Sequence, residues 1–134
     1  MALFFSREVG CSGCHSGINF AGTWRDSQGE TGKAAFADNG TSDRPMRVPT
    51  LRNVVLTAPY MHDGRFATLD AVLDHYSGLG ERAQRVAPNA AHATEYDPRL
   101  PQAPFSMQQR ADLSAFLVSL TDEAFVHRFA TVDR

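Results

Sequence analysis

Apolar residues recur at helical spacing in two stretches of the chain. Leu69, Val72, Leu73 and Tyr76 fall at i, i+3, i+4 and i+7 after Thr68, which predicts one face of a helix that Gly78 and Gly80 should end. After Ser106, the residues Leu113, Phe116, Leu117 and Leu120 draw a second stripe, and Ser106 with Gln109 has the spacing of a capping box. Leu3, Phe4 and Val9 read as one short amphipathic helix at the start of the chain. From Ile18 to Asp43, Gly, Asn, Asp, Ser and Thr are scattered without periodicity, which predicts a long loop. Val86 to Phe105 carries Pro88, Pro98, Pro101 and Pro104 and should be irregular as well. The run Val54–Leu56 is the one short segment that could pair as a strand. The expected architecture is mostly α with long loops.

Size narrows this to a single domain over residues 1–134, because a chain of 134 residues supports one hydrophobic core. A hydrophobic content of 43% argues against disorder, and no apolar run approaches the roughly 20 residues of a membrane span. Thirteen Lys plus Arg against fifteen Asp plus Glu leave a net charge of −2, with no basic tract to neutralise phosphates. No nucleic acid and no membrane span are therefore expected among the partners.

The two cysteines change the picture, since both lie in Cys11-Ser12-Gly13-Cys14-His15. This is the C-x-x-C-H pattern of covalent c-type haem attachment, in which two thiols add to the porphyrin vinyl groups and the adjacent His ligates iron. Two other readings stay open on the residues alone. A zinc site would have to recruit scattered histidines from His62, His75, His92 and His127, and a redox dithiol would want a β-α-β setting. Haem attachment of this kind takes place outside the cytosol, so a periplasmic location is expected. The opening segment Met1–Gly10 lacks a basic n-region and a cleavage site, and residues upstream of Met1 are expected to be missing, unless a mature chain has been numbered afresh.

The group opposite His15 would come from Met46, Met61, Met107, Tyr76 or the other histidines. Tyr76 shares the buried stripe of its helix, whereas His75 is turned from it by about 100° toward solvent, so Tyr76 is the residue expected to face inward. Met61 lies in Pro59-Tyr60-Met61-His62-Asp63-Gly64, a tight loop of unreadable direction, and Met46 and Met107 read as packing residues.

These motifs carry a resemblance. Leu3-Phe4-Phe5-Ser6 ahead of Cys11–Gly17, then Arg47-Val48-Pro49-Thr50-Leu51-Arg52-Asn53-Val54, Thr57–Gly64 and Thr68-Leu69, together with the helix through Phe116–Asp122, resemble the C-terminal haem domain of the bacterial dihaem cytochrome c peroxidase and MauG-like family. The resemblance implies a cytochrome c-like haem domain and a missing N-terminal half that carries a second haem. Residue by residue, it matches Cys11, Cys14 and His15 to the attachment cysteines and proximal ligand, and Tyr76 to the distal ligand position, a methionine in the peroxidases and a tyrosine in MauG-like proteins. It matches Arg47 to an arginine that pairs with a haem propionate. It also matches Thr57 and Pro59 to carbonyl donors for a calcium ion, whose further ligand, an asparagine, belongs to the other domain. His62 and Asp63 are expected only to shape their loop, and Trp24 to be packing.

The implied function is electron transfer and storage of oxidising equivalents in a periplasmic, peroxide-dependent oxidoreductase. Hydrogen peroxide would react at the other haem, and a redox partner protein would act as electron donor or substrate. The alternative is a self-contained monohaem electron carrier.

Overall fold

The computed structural model describes residues 1–22, 47–81 and 99–130, the side chains of the last stretch only as far as 127. Trp24, Met46, His92, Pro88, Pro98 and most of the expected loop from Ile18 to Asp43 lie outside the described residues. Among the described residues the regular elements are helical: α1 (Leu69–Tyr76), α2 (Met107–Ser119) and α3 (Glu123–Ala130), with short 3₁₀ turns at Ala2–Phe5, Cys11–Gly13 and Val54–Leu56. β-structure there is limited to one antiparallel bridge between Tyr60 and Phe66.

α2 begins where the capping box places it. Ser106 Oγ accepts from the Gln109 backbone N–H at 3.1 Å, and Gln109 Oε1 accepts from the Ser106 N–H at 2.8 Å, so two orphan donors of the first turn are satisfied. The stripe then drives the helix into the core. Leu113 is 1% exposed and sits with Phe116, Leu117 and Leu120 against Phe4, Val9, Val54 and Leu73. Burying each such side chain contributes about 1.5–3 kcal/mol, which makes this face of α2 the main apolar contributor among the described residues.

α1 is capped by Thr68, whose Oγ1 accepts from the Ala71 N–H at 3.2 Å, and it presents Leu73 to the same core. Asp74 and Arg110 pair across α1 and α2 at 2.6 Å, but with both side chains well exposed the pair is worth at most about 1 kcal/mol. Gly78 ends the helix in the left-handed conformation at φ +65°, as its position in the pattern predicts. Ser77 Oγ then accepts from the Phe105 N–H at 2.7 Å and the Gly80 N–H donates to the Pro101 carbonyl at 2.8 Å, so the end of α1 is tied to the irregular segment leading into α2.

Three expectations differ from what is observed. Leu3, Phe4 and Val9 do not share one helix: the 3₁₀ turn stops at Phe5, Ser6 is extended, and Val9 reaches the core from a separate turn. Val54–Leu56 is a 3₁₀ turn rather than a strand, although its two valines favour extended structure. Asn53 is the cause. It adopts a left-handed conformation, accepts from the Asp122 N–H on its Oδ1 at 2.7 Å and donates its own N–H to the Leu120 carbonyl at 3.1 Å, which pins the segment to the end of α2. α3 was not anticipated; its start is marked by Asp122, whose Oδ1 accepts from the N–H groups of Ala124 and Phe125 at 2.9 and 3.2 Å.

Ser106→Ala should cost about 1 kcal/mol in chemical denaturation through the lost cap, and Leu113→Ala roughly 2–5 kcal/mol through a core cavity. Equal effects of the two would contradict this account of α2.

Candidate functional site

The Cys11–His15 segment forms one tight turn. Gly10 precedes it at φ +66°, the Gly13 N–H donates to the Gly10 carbonyl at 3.0 Å, and the N–H groups of Cys14 and His15 both donate to the Cys11 carbonyl, at 3.2 and 2.9 Å. Gly10 has a second reason to be glycine. A Cβ there would collide with the backbone carbonyl of Arg99, and one at Gly13 would press on the Arg99 side chain at 3.1 Å. Arg99 closes the contact by donating from Nη1 to the Gly13 carbonyl at 2.9 Å, so a residue 86 positions downstream of Gly13 lies strapped across the motif.

Cys11 and Cys14 are not joined by a disulfide. The Cys11 thiol faces the Val9 carbonyl at 3.6 Å, and burial, with a smaller contribution from neighbouring Cys14, pushes its pKa up to about 11. His15 Nδ1 lies 3.0 Å from the Phe20 carbonyl oxygen, a hydrogen bond in the tautomer that carries its proton on Nδ1. Burial lowers the His15 pKa, opposed by the carbonyls of Phe20 and Pro49, so the ring is kept neutral as a metal-ligating imidazole must be. With Nδ1 engaged, Nε2 is the nitrogen with a lone pair to offer.

Phe20 carries this bond from a left-handed conformation at φ +49°. Its ring is set into an aromatic group with Phe4 at 5.7 Å and Phe116 at 5.8 Å, which anchors the motif on the same α2 face that makes the core.

The other expected site residues are placed as follows. Tyr76 ends α1 half-buried, with its ring edge-on to that of His75 at 5.5 Å. His75 is not turned to solvent as its helical position predicts: it too is half-buried, packed against Phe66 at 5.3 Å, because the loop carrying the Tyr60–Phe66 bridge folds back beside α1. Met107, read as packing, is 88% exposed at the first position of α2 and contributes to no core. Met61 is half-buried in a left-handed turn closed by the Gly64 N–H on its carbonyl at 3.2 Å, and Asp63 steadies that turn by pairing with Arg65 at 3.0 Å. Arg47, Thr57 and Pro59 are exposed; Thr57 Oγ1 donates to the Val54 carbonyl at 2.9 Å. Among the described residues no group of three or more His, Cys, Asp or Glu is placed to hold a metal ion, which leaves the zinc alternative without a donor set there. Two thiols beside one neutral imidazole do match what a covalently attached c-type haem requires.

No family model matches the chain. It is 34% identical over 134 residues to the methylamine utilization protein MauG of Methylorubrum extorquens, an alignment covering 89% of this chain and 33% of that protein. To the cytochrome c551 peroxidase of Pseudomonas aeruginosa it is 34% identical over 96 residues, covering 61% of this chain and 27% of the other. The crystal structure of a MauG-like protein associated with microbial copper homeostasis superposes with a TM-score of 0.65 at 29% identity, over 91% of this chain and 45% of that one. The chain belongs to the MauG and cytochrome c peroxidase-like family. It spans a third or less of the length of the curated MauG and peroxidase relatives it matches. Among the described residues no helix is long and apolar enough to cross a membrane.

Sequence reasoning passed over the three residues that hold the motif in place: Phe20, Arg52 and Arg99. Gly10 and Gly13 were the available signal, two glycines bracketing Cys11 where another chain segment passes close by.

With its pKa at about 11, raised from 9.0, the Cys11 thiol of the folded, haem-free chain should alkylate at pH 8 about a hundredfold more slowly than in urea. The same shift makes the haem-free chain lose stability as pH climbs from 9.0 toward about 11, where the unfolded state releases this proton and the folded state keeps it. Equal iodoacetamide rates in native buffer and urea would contradict both statements.

Proposed function

We propose that this chain is the C-terminal c-type haem domain of a periplasmic dihaem peroxidase or MauG-like oxidoreductase. The observation that carries the reading is the Cys11–His15 turn, with two thiols clear of any disulfide and an imidazole whose Nδ1 is committed to the Phe20 carbonyl. Its likeness to MauG over 89% of its length supports the assignment to a haem domain, and its span of 33% of that protein supports its being part of a longer one.

Haem, when attached, supplies one-electron chemistry at iron. The chain's own residues then divide the work. Cys11 and Cys14 would hold the haem covalently, and His15 would offer Nε2 to its iron. Tyr76 is the residue proposed for the opposite face: a phenolate is an anionic oxygen donor that favours ferric over ferrous iron, which suits a domain that holds oxidising equivalents. Arg47 is proposed to pair with a propionate, and its exposed position leaves the guanidinium able to reach a charged group at the rim. Thr57 and Pro59 offer calcium two backbone carbonyls, which without the other domain's asparagine leaves a site well short of the six to eight oxygens calcium takes.

In the whole protein, hydrogen peroxide is proposed to react in the preceding domain. With haem attached, this domain would supply one-electron storage and would exchange electrons with a redox partner protein. The chain alone should therefore turn over hydrogen peroxide poorly, since His15 and Tyr76 would both be committed to the haem and no acid-base side chain is assigned to act on peroxide.

The axial assignment is tested on the haem-loaded chain. Tyr76→Phe should change the ferric absorption spectrum and open a site for cyanide, while His75→Ala should leave both unaltered. The reverse pattern would move the ligand to His75 and weaken the MauG-like placement. Peroxide turnover by residues 1–134 alone, in proportion to haem content, would point to a self-contained enzyme with an open distal face.

A further inference from the structure

The four carbonyls from Gly17 to Phe20 are all engaged, each by a different partner. The Phe20 N–H donates to Gly17 at 3.1 Å and closes a turn. Arg52 donates both Nε and Nη2 to the Ile18 carbonyl, at 3.0 and 2.8 Å. Thr50 Oγ1 donates to the Asn19 carbonyl at 2.6 Å, and the same oxygen accepts from the Arg52 backbone N–H at 3.1 Å, which couples the two clamping side chains. The last carbonyl, that of Phe20, faces His15 Nδ1 at 3.0 Å.

Phe20 reaches that position only through a left-handed backbone at φ +49°, a conformation that residues with a Cβ adopt rarely and that the surroundings must enforce. Two constraints enforce it. The preceding carbonyls are held by Thr50 and Arg52, and the Arg52 guanidinium also lies 5.2 Å from the centre of the Phe20 ring, so one side chain fixes both the peptide before the turn and the ring at its end. The other faces of the ring are filled by Phe4 and Phe116.

From this geometry we infer that Thr50 and Arg52 are positioning residues for His15: by clamping the Ile18 and Asn19 carbonyls they hold Phe20 in its left-handed turn, with its carbonyl on Nδ1, and so set how strongly the imidazole donates to the metal it ligates. The inference rests on the haem-domain reading above and goes beyond it, since both side chains act through the carbonyls that follow the motif. A ligating histidine whose other N–H is hydrogen-bonded is a more basic donor and favours the ferric state, and its outer partners commonly matter tenfold or more in affinity or activity.

The test uses the full chain matured with haem in a bacterial periplasm, comparing the unaltered protein with Thr50→Val and Arg52→Lys. Haem content is measured first, by the alkaline pyridine spectrum, and the reduction potential second, by spectroelectrochemistry. Arg52→Lys keeps the positive charge and the aliphatic stem but cannot reproduce the paired donors on Ile18, so a change in potential reports the clamp rather than the charge. Both variants should bind haem to the same content as the unaltered chain, yet at a fixed poise shift the ratio of ferrous to ferric protein upward by roughly threefold to tenfold. Full haem content with an unmoved potential in both variants would overturn the inference and leave the Pro49 carbonyl, which also faces the imidazole, as the group that governs it. An unaltered chain that takes up no haem would instead overturn the haem reading and this inference with it, an outcome recognisable before any potential is read.

Discussion

The hydrogen bond between His15 Nδ1 and the Phe20 carbonyl is the constraint on which the rest of the site depends. It fixes the tautomer of the imidazole, and it joins a five-residue turn with little apolar surface of its own to an aromatic group that is part of the core. Phe20 packs on Phe4 and Phe116, and Phe116 belongs to the α2 stripe whose centre is Leu113. A disturbance of α2 should therefore be felt at the histidine, because the ring of Phe20 is the physical link between them.

Around that bond the turn is enclosed from two directions by segments distant in sequence. Arg99 crosses above Gly10 and Gly13, which requires Gly10 to lack a side chain and leaves little room for one at Gly13, and Arg52 and Thr50 grip the residues that follow the motif. The first contact bridges 86 positions and the second 34, so the motif's geometry is a property of the whole fold rather than of the local sequence. The Leu-Arg-Asn segment thus serves two structural roles at once: Arg52 grips the residues that follow the motif, and Asn53 pins the end of α2 and the start of α3.

What was legible in the sequence follows from the range of the interactions. The capping box at Ser106, the stripe of α2 and the stop at Gly78 are local, and each is found where its pattern puts it. The Cys11–His15 pattern stands out because its residues are adjacent, and the structure folds them into one turn. Val54–Leu56 misled because β-branched residues favour strands only when a partner strand exists, and here Asn53 offers a left-handed start to a turn instead. His75 misled because helical periodicity describes one helix in isolation, whereas the loop bearing Phe66 covers a face that the pattern alone leaves to solvent. Gly10 and Gly13 hint that a segment passes close to the motif, but that Arg99 and Arg52 are the residues involved could not be read, since a single arginine in a loop carries no periodic signal of what it will reach.

The proposed function stands or falls on whether the Cys11–His15 turn holds one covalently attached haem. Intact-mass spectrometry of the denatured chain, after expression with periplasmic haem maturation, tests it most directly. The expected result is a mass increase of one haem that survives denaturation, maps to the peptide containing Cys11 and Cys14, and disappears when both are replaced by serine. A chain that emerges from the same maturation with a Cys11–Cys14 disulfide, or with zinc and no haem, would contradict it.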